Sequence, residues 1–441
     1  MDLKPHPWTP PEIAWEKIRQ VVGSRAGILR SIRELEAEPD DLALYSYWGE
    51  MTRTSVFSPF KMPQDVGSGN FDRLKAKLAV VGEGLERYGL TAFDDCRFIT
   101  ATYREVQDRA VDPRTLILFD ESQYQPGFHY KRFKEDTPMR WVEGYNLTRQ
   151  CPMLVPAGMV YLAYDFLSAD ECCSPSVSTG AAAAISLEEA ILKGIYEVVE
   201  RDSLTIMWLA QLGVPRVKMG GRFSALMEQL AGFNLELYVH YITLDVDIPA
   251  FWGMLVNREG QKPVMAVGAS ASLNPEDALR KVVEEVIQTR MWAKSLTRGA
   301  DRYPDFSRPE NFTLVTNFDL HVLMYAAYDM RHAVDFMLSS EKAIAMDEIP
   351  NHSSPCVLEC IHRSVALLQA KEFQVIAVDI TPGEVRDAGL SVAKVIIPNM
   401  QPLNGNHNLV HLGNPRLYTV ARQFGRDLML DQVNPYPHPF P

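Results

Sequence analysis

The sequence predicts an α+β protein with antiparallel sheets flanked by helices. Long amphipathic segments are mixed with short apolar ones, without the strict strand–helix–strand rhythm of a parallel sheet. The segment PAFWGMLVNREGQKPVMAVGASAS is typical of a hairpin that turns at Glu259-Gly260. The chain has 441 residues, 46% hydrophobic and 23% charged, which are ordinary values for a chain long enough to bury a large core.

The first half of the chain is predicted to contain two helices followed by several short strands. Ile13 to Glu38 has apolar side chains at helical spacing and predicts a helix interrupted near Gly23. The stretch PQDVGSGN predicts a loop, and Phe71 to Tyr88 predicts a long helix. Predicted strands follow in CRFITATYREV, TLILFD, MRWVEGYNL and PMLVPAGMVYLAY.

The second half begins with a long helix within Ser176 to Leu204, followed by the alternating strand LELYVHYIT. Asn274-Pro275-Glu276 begins a helix that runs to about Leu296, because proline suits the first helical position and acidic residues favour the first turn. Towards the end, MYAAYDMRHAVDFMLSSEKAI and SPCVLECIHRSVALLQAKEF predict helices, and QVIAVDIT and VAKVIIP predict strands.

Charge and composition exclude several classes of protein. The net charge of −12 argues against nucleic-acid binding, which needs a basic surface. An acidic protein still binds phosphates when metal ions bridge them to carboxylates. No apolar run is long enough for a membrane span, no signal peptide is present, and the six cysteines form no CxxC pair. We therefore expect a reduced, cytoplasmic protein.

The helix after Ser176 places Glu189, Glu197 and Glu200 within roughly 80° of one another, opposite its apolar stripe. A solvated face explains this arrangement, and a metal and phosphate site is the alternative. Two observations favour the site. Lys193 is the one basic residue on the acidic face, and the preceding run of small residues allows a ligand or another backbone to come close.

The pattern E-x-x-E-R occurs twice, from Glu83 through Glu86 to Arg87 and from Glu197 to Arg201. In a third helix, Arg290 lies in the apolar arc and needs an anion, either a core carboxylate or a phosphate. The phosphate-binding motif G-x-x-x-x-G-K-[ST] is absent, as are HExxH and GxSxG. A nucleotide would therefore be held by carboxylate-bound metal ions and isolated basic groups.

The order of these segments resembles the YcaO family of ATP-dependent enzymes that modify the peptide backbone. The resemblance extends over most of Phe71 to Pro441. It rests on EGLERY, STGAAAAISLEEAILKGIYEVVERD, ALRKVVEEVIQTR, MRWVEGYNLTRQCPMLVPAGMVYLAY and LSVAKVIIPNMQPLNG.

The resemblance implies that ATP and Mg²⁺ bind to the motif helices of a YcaO-type fold. The implied metal ligands are Glu83, Glu86, Glu197 and Glu200. The implied ATP-binding residues are Ser178, Glu189, Arg201, Gln288 and Arg290. Family members often carry a basic residue before the first helix, where this chain has Asn70, and Arg73 or Lys75 is a candidate substitute.

The chain ends in PHPFP, and among YcaO relatives a P-x-P-x-P ending accompanies azoline formation. A stiff polyproline end also places a terminal carboxylate at a fixed point. The resemblance thus implies an azoline-forming cyclodehydratase in which Pro441 and Arg290 have catalytic roles. We expect residues 1–65 to form an N-terminal helical segment, 66–430 the catalytic domain and 431–441 a tail that reaches the active site.

The expected partners follow from the same resemblance. The substrate would be a precursor peptide, recognised through a separate ThiF-like leader-binding protein, since the chain leaves no room for a large fused module. A flavin-dependent azoline dehydrogenase is a further partner, and a homodimer within a larger complex is expected. The alternatives are thioamide or amidine formation with a helper protein, and a non-catalytic scaffold that binds peptide.

Overall fold

The computed structural model describes residues 1–42, 44–56, 64–162 and 164–441. Contacts divide the chain into two units. The first unit comprises Met1–Leu35, Tyr45–Val198 and Ser354–Met400. The second unit comprises Glu36–Leu44, Val199–Ser353 and Gln401–Pro441.

The strands are short, and most have at least one buried face. In chain order they are β1 Leu29–Glu34, β2 Tyr45–Met51, β3 Asp65–Asn70, β4 Ile99–Thr102, β5 Pro138–Asn146, β6 Cys151–Pro156, β7 Ala181–Ala184, β8 Arg216–Val217, β9 Leu235–Tyr241, β10 Ala250–Asn257, β11 Met265–Ala271, β12 Ala343–Ile344, β13 Ile376–Asp379 and β14 Ser391–Ile396.

The α-helices range from single turns to six turns. In chain order they are α1 Pro11–Ile18, α2 Arg73–Gly89, α3 Tyr103–Val106, α4 Leu187–Leu209, α5 Ser224–Gly232, α6 Pro275–Thr297, α7 Phe318–Ala327, α8 Asp335–Leu338, α9 Val357–Gln369, α10 Gly383–Asp387 and α11 Pro415–Gln423.

The first unit contains two antiparallel sheets. One has the order β1-β2-β3, and the other has the order β4-β5-β13-β14-β7 with β6 paired to β5. Helix α2 packs against strands of both sheets. Its apolar face, with Val80, Val81 and Leu85 fully buried, lies in the core and leaves its acidic residues on the other side.

The second unit contains a sheet of order β11-β10-β9-β8-β12, antiparallel except for the parallel pair β8–β12. Helix α6 packs against β10 and β11. Gly253 and Gly268 permit this close approach, because a Cβ at Gly268 would lie 2.8 Å from the Cβ of Glu285. The sequence of α6 also fixes where it begins, since the side chain of Asn274 accepts from the backbone N–H of Glu276.

The predicted α+β class with antiparallel sheets flanked by helices is confirmed. The predicted long helices correspond to α2, α4 and α6, and the predicted hairpin corresponds to β10 and β11. Among the described helices, none has both the length and the apolar character needed to cross a membrane.

Several predicted elements are wrong. The predicted helix Ile13 to Glu38 is helical only at its start, and Leu29–Glu34 instead pairs with β2. The glycine-rich stretch predicted as a loop forms β3, because its backbone pairs with β2. The described residues of TLILFD form no strand, and the predicted helix from Met324 breaks after Ala327. The first two errors reflect strand pairing that overrides the local pattern.

A buried ion network fixes α11 within the second unit. The guanidinium of Arg416 makes two hydrogen bonds to Asp202, of 2.8 and 2.7 Å, and two to Asp245, of 3.0 and 2.7 Å. Asp202 also accepts from the backbone N–H of Gln401 at 2.7 Å. Asp202, which follows the second E-x-x-E-R pattern, therefore has a structural partner.

We expect Arg416→Met to lower the free energy of unfolding by about 3–5 kcal/mol, because it leaves two buried carboxylates without their cation. Denaturant titration followed by circular dichroism measures the loss. Arg422→Met on the same helix is the control. Its side chain is 70% exposed, so we expect a change of at most about 0.5 kcal/mol. Equal effects of the two substitutions would contradict a buried network.

Candidate functional site

The first unit brings together the acidic residues of two motif helices. Glu83 and Glu86 lie one turn apart on α2, and Glu197 lies on α4. We call these three residues the carboxylate cluster. Arg87 steadies its first member, since one guanidinium nitrogen donates to Glu83 Oε1 at 2.6 Å and another to the carbonyl of Asp65 at 2.8 Å.

The negative charges of Glu83 and Glu86 are unfavourable as they stand. Burial, followed by the charges of Glu197 and Glu83, raises the pKa of Glu86 well above its ordinary value. Burial also raises the pKa of Glu83, and the charge of Arg87 opposes that shift. Acidic groups with pKa values shifted in this way are common at functional sites.

The carboxylate cluster is not gathered around a single point. Among the described residues, no three His, Cys, Asp or Glu side chains converge closely enough to hold one metal ion as they stand. The oxygen donors nevertheless suit Mg²⁺, which prefers carboxylates and commonly uses only one or two of them together with substrate phosphates.

Lys394, on β14, is a site residue that the sequence analysis missed. Its side chain is 1% exposed, and its Nζ donates to the carbonyls of Val177 at 2.5 Å and Thr179 at 2.7 Å. Burial lowers the pKa of Lys394 to about 8, while the charges of Glu197 and Glu86 oppose the shift. In the sequence, this residue could have been recognised as the single charged residue within the apolar run VAKVII.

The loop before β7 has a conformation that requires glycine. Gly180 has φ +87°, and an added Cβ would lie 2.2 Å from the carbonyl oxygen of Val395. The N–H of Gly180 donates to Glu197 Oε2 at 3.2 Å. Ser178 is exposed in this loop, between the two carbonyls that Lys394 binds. The four alanines that follow form β7 against β14.

Glu189 has a different environment from the carboxylate cluster. It is 4% exposed, and its Oε1 accepts from the backbone N–H of Thr9 at 2.8 Å. Its neighbour Glu188 accepts from the backbone N–H of Lys4 at 2.6 Å. The structure therefore gives Glu189 a partner in the N-terminal segment.

Glu200 and Arg201 of the second E-x-x-E-R pattern lie in the second unit, where Arg201 contacts the end of the chain. Glu200 is 4% exposed and pairs with Arg201 at 3.1 Å. The guanidinium carbon of Arg201 lies 4.2 Å from the centroid of the Phe440 ring, within the range of a cation–π interaction. Arg201 therefore supports both an acidic neighbour and the C-terminal tail.

The C-terminal tail is built into the second unit rather than lying on its surface. Residues 437–440 are buried. Three successive carbonyls of the tail accept hydrogen bonds, from Trp208 Nε1 to Tyr436 at 3.0 Å, from the hydroxyl of Tyr325 to Pro437 at 2.6 Å, and from His321 Nδ1 to His438 at 2.6 Å. These bonds hold a proline-rich segment that offers few N–H donors of its own.

Arg290 is paired with carboxylates. Its Nη2 donates to Asp40 Oδ2 at 3.0 Å, and Lys294 donates to the same side chain at 2.7 Å. Burial raises the pKa of Asp40, but hydrogen bonds from Lys294 and Arg290 outweigh it and lower the value to about 2. Gln288 lies two positions before Arg290 on α6, so their side chains leave the helix in different directions.

A family model described as YcaO cyclodehydratase, ATP- and Mg²⁺-binding, matches residues 67–401. The chain belongs to the YcaO family. The match includes both E-x-x-E-R helices, the Ser178 loop, α6 and Lys394. This confirms the family predicted from the motifs.

Relatives and solved structures support the same fold. An uncharacterized protein of Methanothermobacter thermautotrophicus is 23% identical over 337 residues, covering 75% of this chain and 79% of the relative. A heterocyclase in complex with substrate and cofactor has a TM-score of 0.82 and 23% identity, covering all of this chain and 59% of its own. The chain therefore spans about three fifths of that heterocyclase.

Two more distant structures share the fold. YcaO from Methanopyrus kandleri, bound with AMPPCP and Mg²⁺, has a TM-score of 0.61 and 17% identity, covering 90% of each chain. A chain of the E. coli microcin synthetase McbBCD complex with pro-MccB17 bound has a TM-score of 0.64 and 15% identity, covering 93% of this chain and 96% of its own. At these identities the likeness establishes the fold.

We expect Glu86→Gln to make the metal-free protein more stable at pH 8. Because the pKa of Glu86 is raised by folding, the unfolded state loses its proton first, and stability falls as the pH rises above about 4.5. The neutral amide removes this loss. Denaturant titrations at pH 5 and pH 8 with EDTA compare the variant with the unaltered chain.

Glu121→Gln is the control for this experiment, because the side chain of Glu121 is 80% exposed. It should leave the pH dependence of unfolding unchanged. A Glu86→Gln variant less stable than the unaltered chain at pH 8 would contradict an unfavourable charge at this position.

Proposed function

We propose that the chain is the ATP-dependent cyclodehydratase subunit that converts Cys, Ser or Thr of a ribosomally made precursor peptide to thiazoline or oxazoline. The observation that carries the proposal is the carboxylate cluster, within a chain of the YcaO family. A scaffold that only binds peptide has no need for acidic groups gathered at a cost in stability.

We assign Glu83, Glu86, Glu197 and Glu200 to the metal ions. Bound Mg²⁺ would neutralise these carboxylates and the phosphate oxygens of ATP. Support comes from the raised pKa values of Glu83 and Glu86 and from the arginine that follows each pair.

We further assign Ser178, Glu189, Arg201, Gln288 and Arg290 to ATP. Arg290 and Glu189 already have hydrogen-bond partners within the protein, and ATP binding must be compatible with them. Arg290 would share its guanidinium between Asp40 and a phosphate or exchange one for the other, and Glu189 accepts from Thr9 through one of its two carboxylate oxygens. A bidentate guanidinium suits a phosphate as well as a carboxylate, so the exchange is chemically conservative.

The reaction removes the elements of water from the peptide and transfers its oxygen to phosphate. A thiol or hydroxyl attacks the preceding backbone carbonyl and gives a hemiorthoamide. The γ-phosphoryl group of ATP moves to its oxygen and releases ADP. The phosphorylated oxygen then leaves as phosphate while the amide nitrogen loses its proton and forms the C=N bond. The protein supplies positioning and charge stabilisation for the phosphoryl transfer.

The C-terminal tail favours azoline formation among the reactions of this family. Its carbonyls are held by three side chains, so the position of residue 441 follows from fixed contacts. We assign the Pro441 carboxylate to assist the proton transfers of ring closure. Because it is attached to an ordered segment, little conformational entropy is lost when it acts.

We propose that a separate ThiF-like protein binds the leader of the precursor peptide and presents it to this chain. A chain of the E. coli microcin synthetase McbBCD complex, which has pro-MccB17 bound, shares the fold of this chain. A homodimer within such a complex, and a flavin-dependent dehydrogenase that oxidises azolines to azoles, complete the proposed assembly.

With a leader-bearing peptide, ATP and Mg²⁺, we expect a mass loss of about 18 Da for each ring and one phosphate per ring, since the carbonyl oxygen leaves. Adding a leader-binding partner should raise the rate, and Glu197→Gln should lower it at least about hundred-fold. Mass spectrometry and a phosphate assay measure both.

Glu228→Gln, an exposed position on α5, is the control and should retain full activity. A gain of about 16 Da would indicate exchange of sulfur for oxygen and thus thioamide formation. Peptide-independent background phosphate release alone would favour the non-catalytic scaffold.

Deleting Pro441 should reduce azoline formation at least about hundred-fold, because the carboxylate moves back by one residue. Phe440 and the three bound carbonyls remain, so ATP affinity should change by less than about two-fold. Single-turnover product formation and ATP binding are measured separately.

Asp431→Asn, exposed and outside the buried tail, is the matched control. Unchanged ring formation after deletion of Pro441 would refute the catalytic role of the tail.

A further inference from the structure

No motif identified in the sequence gives Lys394 a role. It lies at the centre of β14, opposite Ala181 of β7, and its side chain is buried. The nearby charges of Glu197 and Glu86 oppose the shift of its pKa caused by burial. The geometry connects it to the same acids. Its Nζ donates to the carbonyl of Thr179, the N–H of the next residue, Gly180, donates to Glu197, and α2, which carries Glu86, packs against β14.

The same ammonium group fixes the Ser178 loop. Its hydrogen bonds to the carbonyls of Val177 and Thr179 bracket Ser178 in the sequence. On the next residue, the Gly180 N–H donates to Glu197 and the Gly180 carbonyl accepts from Val395 at 2.7 Å. The loop is thus held from one side by a cation of β14 and from the other by an acid of α4.

The charge balance of this region follows from these contacts. Two cations, Arg87 and Lys394, accompany the three carboxylates, so a single negative charge remains if all five groups are ionised. Arg87 and Glu83 are partly exposed and are engaged with each other. Lys394 is the buried cation, so it partly neutralises Glu86 and Glu197 in the absence of a metal ion.

We propose that Lys394 is a positioning residue that couples the carboxylate cluster to the Ser178 loop. It acts as the resident counter-cation of Glu86 and Glu197 and weakens Mg²⁺ binding, while its two hydrogen bonds set the loop for the nucleotide. This inference rests on the proposed metal and ATP functions of the cluster. It assigns a role to a residue outside the E-x-x-E-R motifs.

The two roles predict opposite effects of removing Lys394. Lys394→Met removes the charge and both donors. Mg²⁺ affinity without nucleotide should rise about ten-fold, because a repelled dication gains when the neighbouring positive charge is lost. The KM for ATP should rise about ten-fold, because the Val177 and Thr179 carbonyls lose their donor and the loop shifts.

Lys394→Gln separates the roles, since the amide is neutral but still donates hydrogen bonds. We expect it to bind Mg²⁺ as tightly as Lys394→Met and to raise the KM for ATP less. Isothermal titration with MgCl₂ measures the first effect, and steady-state ATP hydrolysis with the full chain measures the second. Lys371→Met, at an exposed position of the same unit, is the control for loss of a lysine charge.

The outcomes separate this inference from the proposed function. If the unaltered chain binds Mg²⁺ and both variants bind it no more tightly, the counter-cation role is overturned. If the unaltered chain binds no Mg²⁺, the metal function of the carboxylate cluster is overturned together with it. Lys394→Gln retains donors for the loop carbonyls, so it also provides the measurement if Lys394→Met does not fold.

Discussion

The like charges carried by α2 and by the first half of α4 are the constraint on which the first unit depends. The apolar face of α2 packs against two sheets. This packing holds Glu83 and Glu86 at positions where their negative charges are unfavourable. Hydrophobic burial over whole helix faces outweighs the repulsion of a few carboxylates. A buried lysine and a partly exposed arginine compensate for it in part, so a site with high negative potential is compatible with a stable fold.

In the second unit, the main structural requirement is a different one: the proline-rich C-terminal segment must be held in place. Such a segment cannot join a sheet through its own N–H groups, so its carbonyls must find donors elsewhere. Trp208, Tyr325 and His321 supply these donors from two helices. A cation–π contact between Arg201 and Phe440 completes the attachment. Side chains far apart in the sequence thereby determine the path of the tail.

The sequence predicted the helices and the acidic residues because both are local patterns. Periodicity placed Glu83, Glu86 and Glu197 opposite the apolar stripes, and the structure keeps them there. The roles of Lys394 and the partner of Arg290 were not predictable, because each depends on a residue distant in the chain. The same limit explains β3, whose glycine-rich strand exists through pairing with β2.

The unfavourable charges at Glu86 link the folding of the protein to its ionic surroundings. Any cation that binds the native acids, and not the unfolded chain, adds to the free energy of folding in proportion to the logarithm of its concentration. Depletion of divalent ions would then increase the population of open molecules that proteases attack. The same clustered acids would thus make the lifetime of the protein depend on the concentration of divalent ions.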